Sequence, residues 1–275
     1  MKEFITLDHK FKLLQQFENL QLPFSEYSFA NLFLFRKIHD YTIEGSFIRG
    51  KTYDKRSFLM PLCDLRKESK LSLQGAEFFY PISDEWLPLL PQKAFTANFS
   101  SNDSDYIFKV DTFKYYAGRH LDGRRNLVHQ LMEHYSVSVK SLTETPHHDL
   151  MAILDHWNEV VGKAVVTSDC EPCKEALTLL EPLSLFGLTV YCDGKPAGFI
   201  IGEKVHKTTC IIHFAKADVE YKGIYQYMYQ AFAQQLDNEI VWINLEQDLG
   251  DEGLHHSKSA YHPEKLLIKM RVSVL

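Results

Sequence analysis

A short strand that ends in acids and leads into a helix lies at residues 242–263, WINLEQDLGDEGLHHSKSAYHP. Val241, Ile243 and Leu245 alternate with Trp242, Asn244 and Glu246, which is the period of a strand with two distinct faces. Gly250 then permits a tight turn, and Asp251 predicts the cap of a helix that runs to about residue 258. Ligands of open α/β sheets bind at the carboxyl ends of strands, so this segment predicts an α/β sheet and a site at Glu246 and Asp248.

A structural interpretation of the same acids stays open. Carboxylates that follow a strand are common as turn and cap residues, and this explanation suits Asp251 better than Asp248. Glu246 lies within the strand itself, where a turn or cap does not explain it. Among the three acids, Glu246 therefore indicates function most strongly.

The composition excludes several classes of protein. The chain has 275 residues, 45% hydrophobic and 24% charged, which is typical of a soluble globular protein with one large domain or two ordinary ones. No apolar run approaches the roughly 20 residues of a membrane span, and the first ten residues are too charged for a secretory signal. We therefore expect a cytoplasmic protein. The five cysteines are few and odd in number, which argues against a disulfide scaffold.

The net charge of −6 gives no general attraction to nucleic acid, so a tRNA partner would need a local basic patch. Residues 118–135 predict a helix with such a patch. Its apolar stripe contains Leu121, Val128, Leu131, Met132 and Tyr135. Arg124 and Arg125 fall at the edges of this stripe, where a guanidinium requires a carboxylate, carbonyl groups or an anionic ligand. Structural ion pairing and anion binding by Arg119, Arg124 and Arg125 are both open.

Strand patterns occur on both sides of this helix. In the N-terminal part they cover Tyr41–Arg49, Phe58–Leu62, Glu77–Tyr80, Phe95–Phe99 and Tyr106–Val110. In the C-terminal part a hairpin with the turn DGKP precedes a third strand, a helix from Ile224, the segment described above and a last strand over Lys265–Val274. Cys170 and Cys173 have no second pair at zinc spacing, so no metal site is predicted.

Four segments resemble a bacterial family grouped with the C-terminal domain of phosphatidylglycerol lysyltransferase. They are FSEYSFANLFLFR, GRHLDGRRN, HFAKADVEYKGIYQ and INLEQDLGDEGLHHSKSAYHPEKLL, and they extend over Phe24–Leu267. The resemblance implies an α/β (α+β) fold of two GNAT-like domains in tandem, with mixed sheets flanked by helices. It places an N-terminal domain at 1–117 and a C-terminal domain at 118–275, which includes the Arg-rich helix and the active-site cleft.

Two departures from related sequences bear on activity. The loop that holds the acetyl-CoA diphosphate in the wider superfamily has a cation and a small residue where this chain has Glu220 and Tyr225, so conventional acetyl-CoA use is disfavoured. In the family's own motifs, HFEKAD and GLRKAK are expected, and this chain has Ala215 and His255-His256 in those places. These changes predict altered specificity or an inactive member.

The resemblance implies acyl transfer from an activated donor such as aminoacyl-tRNA to an amine or hydroxyl of a small molecule or lipid. Such chemistry needs a cation for the oxyanion and a group that removes a proton, so Lys216, Glu246 and Asp248 are the expected catalytic residues. An acyl-CoA-dependent N-acyltransferase and a catalytically silent binding protein are the alternatives. The expected substrate contacts are Arg119, Arg124, Arg125, Asn126, His213, Asn244, Lys258 and Tyr261.

Overall fold

The computed structural model describes residues 2–91, 95–160 and 169–274. The strands are β1 (Lys2–Phe4), β2 (Thr42–Glu44), β3 (Phe47–Lys51), β4 (Ser57–Pro61), β5 (Phe78–Ile82), β6 (Phe95–Phe99), β7 (Asp105–Lys109), β8 (Val137–Ser141), β9 (Leu185–Cys192), β10 (Lys195–His206), β11 (Thr209–Ala217), β12 (Trp242–Asn244), β13 (Lys265–Leu267) and β14 (Met270–Val274).

The helices are α1 (Lys10–Leu20), α2 (Phe29–Phe35), α3 (Val110–Tyr115), α4 (Asp122–His134), α5 (His147–Val160), α6 (Cys170–Thr178), α7 (Ile224–Gln235) and α8 (Glu252–Ser259). Short 3-10 turns lie at Leu7–His9, Ser25–Tyr27, Leu65–Lys67, Asp84–Leu89, Ser101–Asp103, Arg119–Leu121 and Leu142–Glu144. All five cysteines are free thiols. In the part of the chain that the structure describes, no helix has the length and apolar composition needed to cross a membrane.

The chain forms two compact units. Unit 1 contains residues 1–106, 246–258 and 265–275, and unit 2 contains residues 107–245 and 259–264. This division differs from a single cut between residues 117 and 118, because the chain returns to unit 1 after β12. The acids that follow β12 therefore belong to unit 1, although the strand itself belongs to unit 2.

The sheet of unit 1 is mixed and follows the order β1-β2-β3-β4-β5-β14-β6. β4 and β5 run parallel, with Phe58 opposite Phe78, whereas the neighbouring strand pairs are antiparallel. The last strand in sequence, β14, lies between β5 and β6. Large aromatic side chains of β4 and β5 are buried in this unit, among them Phe58, Phe78 and Phe79.

The sheet of unit 2 is also mixed, and its strands follow the order β7-β12-β11-β10-β9-β8. The parallel pair β11 and β12 is in register only from Thr209 opposite Trp242 to Ile211 opposite Asn244. Directly beyond it, β11 bulges against β10, because Gly202 faces Ile212 and Ile201 faces Phe214, which leaves His213 as the extra residue. α5 and α7 pack on this sheet. The prediction of a mixed α/β fold with two mixed sheets flanked by helices is confirmed.

Two predicted strands were wrong in extent. Residues 41–49 form parts of β2 and β3 instead of one strand, because Gly45 has φ of +63° and turns the chain between them. Residues 265–274 divide into β13 and β14, and the break contains Lys269, whose side chain is fully buried. A continuous extended strand would not place that ammonium group among its carboxylate partners.

Burial corrects two further predictions. In α4 and the turn before it, Leu121, Val128 and Leu131 are buried, but Met132 is 58% exposed, so the apolar stripe is narrower than predicted. At β12 the expected alternation fails, because Asn244 is as fully buried as Ile243, whereas Val241 is 45% exposed. A strand that is buried on both faces does not alternate.

Candidate functional site

The segment after β12 has a constrained backbone. Glu246 has φ of +58° and Leu249 has φ of +54°, a region that side chains other than glycine rarely adopt. Backbone hydrogen bonds hold these residues there, from the Tyr106 amide to the Glu246 carbonyl oxygen (3.2 Å) and from the Leu249 amide to the Asn102 carbonyl oxygen (3.1 Å). Strained backbone of this kind, about 1–3 kcal/mol per residue, occurs disproportionately at functional sites.

Glu246 faces a small cavity of about 80 Å³ in unit 1. The Nδ2 atom of Asn31, on α2, donates to Glu246 Oε1 at 2.9 Å. Ser28 fixes the start of α2, because its Oγ accepts from the Asn31 amide at 3.0 Å. The remaining wall combines two further carboxylates, an amide, aromatic rings and one lysine, which include Glu26, Asp103, Gln247, Tyr41, Tyr80 and Lys51.

A buried ammonium group lies behind this wall. Lys269 Nζ donates to Asp105 Oδ1 at 2.6 Å and to Glu26 Oε1 at 3.0 Å, and the Lys269 side chain is fully buried. Ser25 links the group further, because its hydroxyl donates to Asp105 Oδ1 at 2.8 Å. One ammonium group therefore serves two buried carboxylates, and Lys258 is a second cation that interacts with Asp105 and Glu246.

The pKa shifts follow from this arrangement. Burial raises the pKa of Glu26 despite the opposing attraction of Lys269, and Asp105 raises it further. Burial opposes the charge of Lys269, but Asp105 and Glu26 outweigh that effect and raise its pKa. The cluster therefore keeps Lys269 charged, and it favours a proton or another cation at Glu26.

Asp248 and Lys258 complete the group of predicted site residues in unit 1. Asp248 is buried, and its Oδ2 accepts from the Tyr106 hydroxyl at 2.6 Å. Burial raises the pKa of Asp248, but hydrogen bonds from Tyr106, Gly250 and His255 outweigh it and lower the pKa below its ordinary value.

Lys258 has carbonyl groups as hydrogen-bond acceptors. Its Nζ donates to the Gln247 carbonyl oxygen at 2.6 Å. Burial lowers the pKa of this lysine to about 8, and the nearby Glu246 opposes the shift only in part.

Lys216, on β11 of unit 2, is held in a closed pair. Its Nζ donates to both carboxylate oxygens of Asp169, at 2.7 and 2.9 Å, and lies 3.4 Å from the centre of the Trp157 ring. The Lys216 side chain is 5% exposed. An ammonium group paired in this way already has its compensating charge.

Two other predicted residues of unit 2 are buried. His213, at the bulge, has Nε2 3.2 Å from Glu203 Oε2, and both side chains are buried. Asn244, the last residue of β12, is also fully buried.

The arginines of the predicted anion site have local partners or open surroundings. Arg125 donates to the Tyr116 carbonyl oxygen at 2.6 Å and to the Asp122 carboxylate, which favours the structural interpretation of its charge. The Arg124 guanidinium lies 4.9 Å from the centre of the Tyr261 ring, and Gln226 Nε2 donates to the Tyr261 hydroxyl at 3.2 Å. Arg119 and Asn126 are exposed.

The predicted site residues therefore form separate groups. Unit 1 brings together Glu246, Asp248 and Lys258, and unit 2 contains Arg119, Arg124, Arg125, Asn126, His213, Lys216, Asn244 and Tyr261. The sequence analysis missed Glu26, Asp105 and Asp169. It also missed Lys269, although a lysine within the apolar run LLIKMRV is a usable sign of a buried cation.

The loop before α7 is closed by internal bonds. The Glu220 amide donates to Asp218 Oδ1 at 2.9 Å, and the Ile224 amide donates to the Tyr221 carbonyl oxygen at 3.0 Å. Gly223 has φ of +95°, and a Cβ there would lie 2.2 Å from the Leu127 carbonyl oxygen. Amides committed in this way do not form an open phosphate cradle.

Comparison with known proteins identifies the family. The family described as phosphatidylglycerol lysyltransferase, C-terminal, matches residues 17–270. The chain belongs to this family. No curated protein matches it.

Solved structures of bacterial proteins have the same fold. A conserved protein of unknown function from Bacteroides thetaiotaomicron VPI-5482 is 21% identical, with a TM-score of 0.83 over 100% of this chain and 99% of that one. The C-terminal domain (DUF2156) of a protein described as a lysylphosphatidylglycerol synthetase from Agrobacterium fabrum is 14% identical, with a TM-score of 0.63 over 96% and 92%. L-PGS from Bacillus licheniformis is 13% identical, with a TM-score of 0.56 over 96% and 91%.

Proposed function

We propose that this member of the phosphatidylglycerol lysyltransferase C-terminal family is an aminoacyltransferase built from two GNAT-like domains in tandem. The donor is an aminoacyl-tRNA, and the acceptor is an amine or hydroxyl group of a small molecule or lipid. In the transfer, the acceptor attacks the ester carbonyl carbon, the bond to the ribose oxygen breaks, and that oxygen takes up a proton. Membership of the family supports the reaction class.

The cavity at Glu246 is the observation that carries the proposal. Every aminoacyl group has an ammonium group, and the cavity has carboxylates, amide oxygens and aromatic faces, which are the partners that an ammonium group requires. The two carboxylates that share the Lys269 ammonium group, Glu26 and Asp105, add to this attraction. We assign Glu246 and Glu26 to the recognition of this cation, with Asn31 holding the Glu246 carboxylate in place.

The other expected roles change accordingly. The closed pair with Asp169 favours a structural role for Lys216 over stabilisation of the oxyanion. The partners of Arg125 likewise favour a structural role. Arg119, Arg124 and Asn126 retain open donor groups on the surface of unit 2, and we propose them as contacts for the phosphates of the tRNA.

Binding of simple cationic probes tests the cavity. Calorimetry with lysine amide and with alanine amide should detect binding, and Glu246→Gln should weaken it by about 10- to 100-fold, because a charge-assisted contact of about 1.5–3 kcal/mol is lost. Glu252→Gln, an exposed acid on α8, is the matched control and should bind as the parent does. Equal affinity of parent and Glu246→Gln would reject the cavity as the ammonium site.

Turnover tests the reaction class. The protein should release the aminoacyl group from at least one aminoacyl-tRNA when vesicles of phosphatidylglycerol or a soluble amine are supplied, and radiolabel should appear in the acceptor. Acetyl-CoA should bind weakly or not at all, because the loop before α7 is closed. Micromolar acetyl-CoA binding with no transfer from any aminoacyl-tRNA would favour the acyl-CoA alternative.

A further inference from the structure

His255 is held in an arrangement that leaves one of its ring nitrogens available. His255 Nδ1 lies 2.9 Å from Asp248 Oδ2 and 2.9 Å from the Tyr106 hydroxyl oxygen. Asp248 Oδ2 also accepts from the Tyr106 hydroxyl, and its Oδ1 accepts from the Gly250 amide at 3.0 Å. In the tautomer with the proton on Nδ1, the buried carboxylate accepts from Nδ1–H, and the Nε2 atom is directed away from it.

The fold fixes this imidazole from two directions. Asp251 begins α8, because its Oδ1 accepts from the Leu254 amide at 2.8 Å and its carbonyl oxygen accepts from the His255 amide at 2.8 Å. The first turn of α8 is thereby set beside Asp248. The His255 side chain is nevertheless 64% exposed, so Nε2 is open to solutes.

The neighbouring His256 differs although the residue type and helix are the same. It is exposed, and in the described ranges of the chain no carboxylate or hydroxyl group bonds to its ring. The two histidines therefore separate the effect of the Asp248 contact from the effect of an imidazole on this helix. His256 is the internal control for His255.

We propose that Asp248 and His255 form a proton-accepting pair for acyl transfer. In this step Nε2 takes the proton from the acceptor amine or hydroxyl as that group bonds to the ester carbonyl carbon. The same proton then passes to the ribose oxygen as its bond to the carbonyl breaks, and the imidazole returns to its neutral form. Asp248 fixes the tautomer and stabilises the imidazolium between these events. The role in turnover depends on the proposed function.

The charged and titratable groups around the ring are compatible with this role. Asp248 and Tyr106 face it from the loop and from β7, and Lys258 lies one turn further along α8. The Lys258 Nζ is directed to the Gln247 carbonyl oxygen, so the imidazole is left to Asp248. A positive charge that forms on the imidazole is thus next to an anion that is already in place.

Chemical modification tests the pair without any substrate. Diethyl pyrocarbonate acylates unprotonated imidazole, and peptide mass mapping can follow His255 and His256 in one sample. At about pH 8, which is above the ordinary histidine pKa of about 6.5 so that the imidazole is mainly unprotonated, Asp248→Asn should slow the modification of His255 at least tenfold and leave that of His256 unchanged. If the His255 rate does not change, the pair has no effect on the reactivity of Nε2 and the proposal is overturned.

Transfer activity then distinguishes a proton-accepting role of His255 from a purely structural one. His255→Asn and His255→Arg both keep an N–H group for Asp248 but cannot accept a proton at neutral pH, so each should fold normally and lose transfer at least 100-fold. His256→Asn should keep the activity and pH profile of the parent. Full transfer by His255→Asn would overturn the role. If the parent transfers from no aminoacyl-tRNA, the proposed function fails, and the modification rates alone still decide whether the pair exists.

Discussion

Among the residues that the structure describes, Lys216 in unit 2 and Lys269 in unit 1 have almost fully buried side chains, and the two lysines differ in how their charge is balanced. Lys216 in unit 2 has one carboxylate partner, Asp169, which holds it with both oxygens, and a tryptophan face. Lys269 in unit 1 has two carboxylate partners, Asp105 and Glu26. The first arrangement pairs one cation with one carboxylate, whereas the second shares one cation between two carboxylates.

This difference distinguishes a structural ion pair from a site that can attract a ligand. Lys216 has no need of a further anion, and nothing in its pairing attracts a cation. The group around Lys269 borders a cavity that presents Glu26 and Glu246, and we propose that these carboxylates attract a cation. The number of carboxylate partners of each buried lysine therefore indicates function more clearly than the presence of a buried lysine does.

Removal of the shared cation should have the largest effect. Lys269→Met leaves two buried carboxylates together, and we expect the free energy of unfolding to fall by about 4 kcal/mol. Urea denaturation followed by circular dichroism measures the loss. If the variant does not fold, combining it with Glu26→Gln and Asp105→Asn should restore folding. A smaller loss for Lys269→Met than for Lys216→Met would contradict the comparison of the two lysines.

Removal of the paired cation should have a smaller and recoverable effect. Lys216→Met should lower the free energy of unfolding by about 2 kcal/mol, because methionine still packs on Trp157 and Asp169 is partly exposed to water. Adding Asp169→Leu should recover most of that loss in the same urea experiment. Failure of this recovery would show that the pair has contacts beyond its own two charges.

Lys258 extends the comparison of the two lysines, because its hydrogen-bond acceptors among the described residues are carbonyl groups and not carboxylates. The folded chain holds its pKa at about 8, below the ordinary value of about 10.4, so the unfolded chain binds more protons between these values. The free energy of unfolding of the parent should therefore rise relative to Lys258→Met as the pH increases from about 8, by about 1.5 kcal/mol near pH 9.5. Urea denaturation at both pH values measures this difference, and a change of opposite sign would contradict it.

Local patterns predicted most elements of the fold. β6 begins and ends at the predicted residues, and α8 follows the predicted cap, Asp251, and ends within one residue of the predicted position. Errors arose where a single residue changed the direction of the chain, as at Gly45 and Lys269. The periodicity of a sequence shows which side chains are apolar. It gives no sign of a turn that is needed to bury one charged side chain.

The candidate site was predictable only in part. Glu246 and Asp248 followed from their place after a strand, but Asn31, which bonds to Glu246, is 215 positions away in the chain. A single sequence has no signal for that pairing. His255 appeared only as a departure from the family motif. Its proposed role depends on the buried carboxylate of Asp248, and the contact between the two side chains could not be predicted from the sequence.

The place of β14 in the sheet has a consequence for the order in which the molecule is made. Residues 270–274 pair with both β5 and β6, so a growing chain lacks the hydrogen-bonding neighbour of β6 until nearly all of these 275 residues have been synthesised. Lys269 directly precedes that strand, so the ammonium group that pairs with Glu26 and Asp105 is also synthesised late. Every strand of unit 2 is complete earlier on the ribosome. The sheet of unit 1 is therefore completed after the sheet of unit 2, although it contains strands that are synthesised much earlier.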